Sequence, residues 1–278
     1  MTIATINRFI SLFQDAFEAL GQDVGMPRIE PMAMLVHHSM ESKSRAYHTA
    51  SHVFYMCEGM NPRQVLAALF HDVVYYQLDG GFPSHARELL ADVTRREGGD
   101  LIIQDINPDD LALKLCVDIF GFKVGQTLAL YGGMNEFLSA VVAARMLQAH
   151  VSLPDLIAIV ACIEATIAFR APDAQGTSAT NVLAQRVRLQ YETRAADLPG
   201  VDTDAAVAAV LKDAVQLANR DVGSFAEPDP GLFLSSTWLL IDESNAPLAA
   251  VGIYSLRDYR VALRRMDLFL STLNPAYI

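Results

Sequence analysis

The sequence predicts an all-α protein folded as a single domain over 1–278. Three observations lead there. Apolar residues recur at helical spacing along most of the chain, strand signals are scarce, and no internal repeat, low-complexity tract or long linker divides it. Ile6, Phe9, Ile10, Phe13, Phe17 and Leu20 make a first apolar stripe that stops near Gly21. Met32 to Met40 reads as a second helix, and about Arg45 to Glu58 as a third that carries His48 and His52. Asn61-Pro62 opens a fourth, with proline in the first turn, ending around Tyr76. After the turn at Asp79–Ser84, Ser84 and Glu88 signal a helix that runs to Gly98-Gly99.

Pro108 introduces the next helix. Glycines 121, 125, 132 and 133 bracket a flexible stretch before a long helix from Asn135 to His150. Leu153-Pro154-Asp155 opens a helix to Arg170, and Val182 to Thr193 forms another after the loop at 171–177. A long helix runs from Asp204 to about Phe225, where Pro228 and Pro230 break it. Leu232 to Ile241 and Pro247 to Leu270 close the chain. The β-branched run Leu101-Ile102-Ile103 is short and isolated. The closing segment carries Phe233, Leu234, Trp238, Leu239, Ile253, Leu263 and Phe269, more apolar surface than a solvated appendage needs, so it is expected to pack on the core or to form a homodimer contact.

Composition bounds the function. Hydrophobic residues make up 52% and charged residues 19% of 278, which excludes a disordered chain and allows a substantial core. A net charge of −11 argues against a nucleic-acid polymer as partner and suits a cytoplasmic protein that handles small molecules. No apolar run reaches the roughly 18 residues of a membrane span, and the N-terminal stretch lacks the pattern of a secretion signal. Cys57, Cys116 and Cys162 lie far apart in apolar surroundings and read as reduced core residues.

Chemistry concentrates in two segments. Tyr47-His48-Thr49-Ala50-Ser51-His52 puts two histidines four apart, so on a helix they share a face. His71-Asp72 follows the apolar run Val65–Phe70, where a buried carboxylate must be paired or must coordinate a metal. Three histidines and an aspartate are thereby placed where one metal ion can bind. Glu136, near a helix start, is either stabilised by the helix dipole or a hydrogen-bond partner of a ligand histidine. Glu164, in an apolar helix, needs a partner such as Arg170 or Arg45. Arg45 is either that partner or a phosphate-facing cation. His37, His38, His85 and His150 read as packing, surface or helix-end residues.

The order Tyr47-His48, His52, His71-Asp72 and a late aspartate resembles the HD superfamily of metal-dependent phosphohydrolases. The flanks RAYHTASHV and LAALFHDVVYY are similar to those of predicted bacterial HD phosphohydrolases and, more distantly, of cyclic-nucleotide phosphodiesterases. Asn135-Glu136-Phe137-Leu138-Ser139-Ala140 resembles an Asn-Glu-x-x-Ser-Ala helix start of that family, and Leu217–Val222 its late aspartate-bearing helix. The resemblance covers about residues 30–226 and leaves 227–278 as a helical extension. It implies an HD helical bundle in which His52, His71, Asp72 and Asp221 ligate one divalent transition metal (Mn, Fe, Zn, Co or Ni), with His48 as proton donor to the leaving oxygen. It also implies hydrolysis of a small phosphate ester or nucleotide by metal-activated water. Thr49 stands where Asn is common, Tyr75 where the phosphodiesterases have a further histidine, and Phe169-Arg170 where relatives often end in His. One metal is therefore expected rather than two. A degenerate binding or regulatory protein and an iron-dependent oxygenase are the alternatives.

Overall fold

The computed structural model describes residues 4–129, 132–244 and 255–272, and within them the chain is all-α apart from one small hairpin. Phe9, Phe13, Ala16 and Phe17 form the buried stripe of α1 (Thr5–Ala19), which packs on α2 (Met26–Met40). Helix α2 starts well before Met32, because Gly25 and Pro27 open it; a proline in the first turn costs no hydrogen bond. Helix α3 (Ala50–Cys57) is shorter than expected, for a reason that belongs to the site. Helix α4 (Pro62–Phe70) starts at a reciprocal cap: the Gln64 amide donates to Asn61 Oδ1 at 3.1 Å, and the Asn61 amide to Gln64 Oε1 at 2.9 Å. Phe13 meets Phe70 edge-on with ring centroids 5.6 Å apart, so α1 braces the helix that ends at the His-Asp doublet.

The segment expected to be a helix up to Gly98 is instead a short α5 (Arg87–Leu90) followed by a hairpin. Strands β1 (Thr94–Glu97) and β2 (Asp100–Ile103) pair antiparallel, with Glu97 opposite Asp100. Gly98 and Gly99, both at positive φ, supply the two-residue turn such a hairpin needs. The same glycines read as a helix stop in the sequence. Leu101-Ile102-Ile103 is not isolated either: the Leu128 amide donates to the Leu101 carbonyl at 2.8 Å and buries its apolar face.

Helix α6 (Leu111–Phe120) is capped by Asp110. Helix α7 (Met134–Leu147) begins at Gly133, whose φ is +86° and whose missing Cβ leaves room for the Ile167 side chain. Helix α8 (Leu153–Ala165) is buried from Leu156 to Glu164. Being apolar on all sides, it takes the centre, touching α4, α6, α7, α9 (Ala179–Thr193) and α10 (Thr203–Asp221). It ends at Ala165 rather than Arg170.

A 3₁₀ turn (Gly223–Ala226) leads into α11 (Pro230–Ser244), and α12 (Leu256–Thr272) follows. Helix α11 is two-sided. Thr237, Ile241 and Glu243 are buried, while Leu232, Leu234, Trp238 and Leu239 are exposed. In α12, Leu256, Tyr259, Val261, Leu263 and Leu268 are exposed. Ile253 and the Phe269 side chain lie outside the described residues. The three cysteines are unbridged and buried, and burial pushes the Cys57 thiol up to about 12, which leaves it inert. Among the described residues, no helix is long and apolar enough to cross a membrane.

Candidate metal centre

Four side chains from three helix ends and a loop meet at one point. His52 lies in the first turn of α3, His71 ends α4, Asp72 begins the loop after it, and Asp221 is the last residue of α10. His71 Nδ1 contacts the Ala68 carbonyl at 2.8 Å, which assigns one proton to that side and leaves Nε2 facing the cluster. Burial opposes charge on the ring, but Asp72 and Asp221 raise its pKa well above the ordinary value, so without an ion Nε2 favours a proton that a bound metal would displace. That Nε2 stands 2.7 Å from Asp72 Oδ2 and 3.7 Å from Asp221 Oδ1. His52 Nε2 is 3.1 Å from Asp221 Oδ1 and 3.9 Å from Asp72 Oδ2. One donor atom each from His52, His71 and Asp72 lies within 4.8 Å of the others, a spacing that a single ion spans.

Two of these atoms, His71 Nε2 and Asp72 Oδ2, are buried and make no hydrogen bond despite their proximity. An unsatisfied buried polar atom costs roughly 1–3 kcal/mol, more when charged. Imidazole and carboxylate donors aimed at a common point fit a borderline divalent ion. Burial opposes charge at Asp72, but His71 and His48 outweigh it and hold the carboxyl far below the usual range. Burial opposes ionisation of Asp221 too, but the His52 hydrogen bond at 3.1 Å and the charge of His71 hold it at about 2. Both carboxylates are therefore ionised at neutral pH, and the cluster demands positive charge.

His48 does not share a helical face with His52. The backbone amides of Ala46, Tyr47 and His48 donate to Glu243 Oε2 at 2.9, 2.7 and 3.0 Å, so the chain turns there and α3 cannot begin until Ala50. The two rings still come together, with centroids 5.8 Å apart and planes nearly perpendicular. His48 Nδ1 pairs with Glu243 Oε1, and its Nε2 faces Asp72 Oδ2 at 3.8 Å. Tyr47 ties the same turn to the end of α10. Its hydroxyl bonds Ser224 at 2.8 Å, its ring stacks on Phe225, and burial pushes its pKa up to about 12.

Glu243 is the site residue that the sequence reading missed. Its signal was weak: two acids, Asp242 and Glu243, follow Trp238-Leu239-Leu240-Ile241, and since Trp238 and Leu239 are exposed that run does not fix burial as Val65–Phe70 does for Asp72.

The loop after Asp72 is held by side chains rather than by helix. Ser39 donates to the Val73 carbonyl at 2.9 Å, and Ser139 accepts from the Val74 amide at 3.0 Å. Asn135 Oδ1 accepts from the Tyr76 amide at 3.0 Å. Arg45, 6% exposed, donates to the Asp72 carbonyl at 2.6 Å and pairs with Asp79 at 2.8 Å. These partners take over the carbonyls and amides that a longer α4 would have satisfied, which is why that helix stops at Phe70 rather than Tyr76. Arg45 is thus committed beneath the loop and does not face a ligand. Glu164 pairs with Arg170 at 2.5 Å and with Arg186 at 3.4 Å, and Arg45 takes no part. His37 meets Glu41, His85 contacts the Ser39 hydroxyl, and His150 packs edge-on to Phe17.

Asn135 and Ser139 are spent on the loop, and Glu136 between them is left to the site. Burial, then the charges of Asp72 and Asp221, push its carboxyl up to about 7, against the help of its own helix-start amide and of His48. A carboxyl whose folded pKa exceeds its unfolded value of about 4.5 loses stabilisation as pH rises through that window, because the native state holds a proton that the unfolded chain has released. In metal-free protein, Glu136→Gln is expected to raise stability at pH 8 by on the order of 2 kcal/mol, with the gain fading below about pH 5. Urea denaturation with chelator across this range is the check, and a pH-independent gain contradicts the electrostatic cause.

No protein-family model, curated protein or solved structure matches this chain in the comparisons made. The functional reading therefore stands on the site.

Proposed function

We infer that the chain is a metal-dependent phosphohydrolase of the HD type, acting on a small phosphate ester or nucleotide. The observation that carries this reading is the convergence of His52, His71, Asp72 and Asp221 around two buried atoms without hydrogen-bond partners. These residues would hold a divalent ion, which would supply Lewis acidity toward a water and a phosphoryl oxygen. His48 Nε2, 3.8 Å from Asp72 Oδ2, is the group we assign to protonate a departing alkoxide. Asp72, Asp221 and Glu136 together repel an anionic ester, so substrate binding itself calls for a cation there.

One observation favours a non-catalytic binding or regulatory module instead: Arg45, the candidate phosphate-facing cation, is taken by Asp79. The test is phosphate release by the purified full chain loaded in turn with Mn, Fe, Co, Ni and Zn. Phenyl phosphate, p-nitrophenyl phosphate, bis(p-nitrophenyl) phosphate and nucleoside monophosphates are the probes. The hydrolase reading expects turnover that chelator abolishes and metal restores. Metal binding and nucleotide binding with no release under any metal would establish the module instead.

A further inference from the structure

The side chain that the HD pattern does not account for is Glu243. It arrives from α11, 195 positions after His48, and is 2% exposed. Its carboxylate makes four contacts with one short stretch of chain. Oε2 accepts the amides of Ala46, Tyr47 and His48, and Oε1 takes His48 Nδ1. No side chain caps α3 at Thr49, so the entry to that helix depends on this distant acid. Apart from Thr237 and Ile241 the described side of α11 is open, with Leu232, Leu234, Trp238 and Leu239 facing outward. A buried carboxylate is costly unless its partners compensate for its lost hydration. Those partners are the turn and the ring that face the metal cluster.

We propose that Glu243 is a positioning residue: it fixes the Ala46–His48 turn and the orientation of the His48 ring, so that Nε2 points at the cluster and the closing helix becomes part of the active site. This rests on the phosphohydrolase reading for its kinetic consequence, but not for its structural one. A carboxylate accepts only, so His48 must present Nδ1–H to it and turn Nε2 toward Asp72. A hydrogen-bonded carboxylate behind an imidazole fixes tautomer and orientation in this way. Glutamine of the same shape changes one thing. Its oxygen still accepts the three amides, but its NH₂ now faces Nδ1, which must then accept, so the ring can no longer carry protons on both nitrogens and loses the acidic imidazolium form.

The experiment uses the full chain with zinc bound, so that the His48 ring nitrogens and the backbone amides are observable by NMR. In the wild type, Nδ1 carries a strongly hydrogen-bonded, low-field proton. Glu243→Gln is expected to abolish that signal while leaving the Ala46–His48 amides protected. Glu243→Ala is expected to expose the amides as well. In turnover, Glu243→Gln should lower kcat on phenyl phosphate at least 10-fold, leave KM within about 2-fold, and barely change p-nitrophenyl phosphate, whose leaving group needs no proton. An unchanged His48 spectrum in Glu243→Gln overturns the proposal. So does equal loss on both esters, or a rise in kcat in Glu243→Ala, which would make α11 a plug over the site. A wild type that hydrolyses neither ester removes the phosphohydrolase reading instead, and the His48 spectrum, which needs no substrate, then decides the role of Glu243 alone.

Discussion

His71→Ala and Asp72→Ala are each expected to abolish tight metal binding while keeping the helical fold. In the wild type, the bound ion answers an electrostatic demand: two ionised carboxylates and a buried imidazole nitrogen without a hydrogen-bond partner. Saturating metal therefore stabilises the native state by RT ln(1 + [L]/Kd), about 4 kcal/mol at a thousandfold excess over Kd. Either variant removes a donor from the group of three and should lose both the roughly one equivalent of co-purifying metal and the metal-induced rise in Tm. The two should differ without metal. Asp72→Ala removes the carboxylate that His71 and His48 hold ionised, and its cost should therefore be greatest at neutral pH and fade in acid, whereas His71→Ala removes the ring that holds both carboxylates ionised and leaves the two like charges facing each other. Elemental analysis and thermal denaturation with and without added zinc read both effects. Wild-type metal content in both variants would refute the assigned ligands.

The parts of this site that were legible in the sequence are those written in local pattern. His71-Asp72 at the end of Val65–Phe70 stands out because an apolar run fixes burial and burial fixes the need for a partner. Asn135 and Ser139 sit one turn apart on α7, so their sharing of the 74–76 loop follows from helical spacing. The all-α class was legible for the same reason, from the stripes of α1 and the all-round apolar face of α8. What was not legible depends on contacts between distant segments. His48 looked helical because nothing local says that the amides of 46–48 are claimed by a residue on α11. The hairpin was hidden because Gly98-Gly99 ends a helix as readily as it turns a strand, and β2 gains its burial only when 125–128 lies along it. Arg45 could not be assigned from its neighbours, since Asp79, 34 residues on, decides which way its guanidinium points.

His48→Ala is expected to leave metal content and fold intact while kcat on phenyl phosphate falls on the order of 10²- to 10⁴-fold, the range for removing a general acid. The metal should stay because the compact donor group is His52, His71 and Asp72, with Asp221 beside it, and His48 Nε2 stands off at 3.8 Å from the nearest carboxylate oxygen. The fold should survive because Glu243 Oε2 keeps its three backbone amides when the ring is gone. His48→Asn sharpens the result. Its amide nitrogen falls near the position of Nδ1 and can still donate to Glu243 Oε1, yet nothing remains where Nε2 was. Equal loss in the alanine and asparagine variants therefore assigns the effect to Nε2 and not to a disturbed turn. On p-nitrophenyl phosphate the loss should shrink toward nothing, because nitrophenolate leaves without a proton. A fall in metal content alongside kcat would make His48 a ligand. Full activity on phenyl phosphate would take it out of the mechanism.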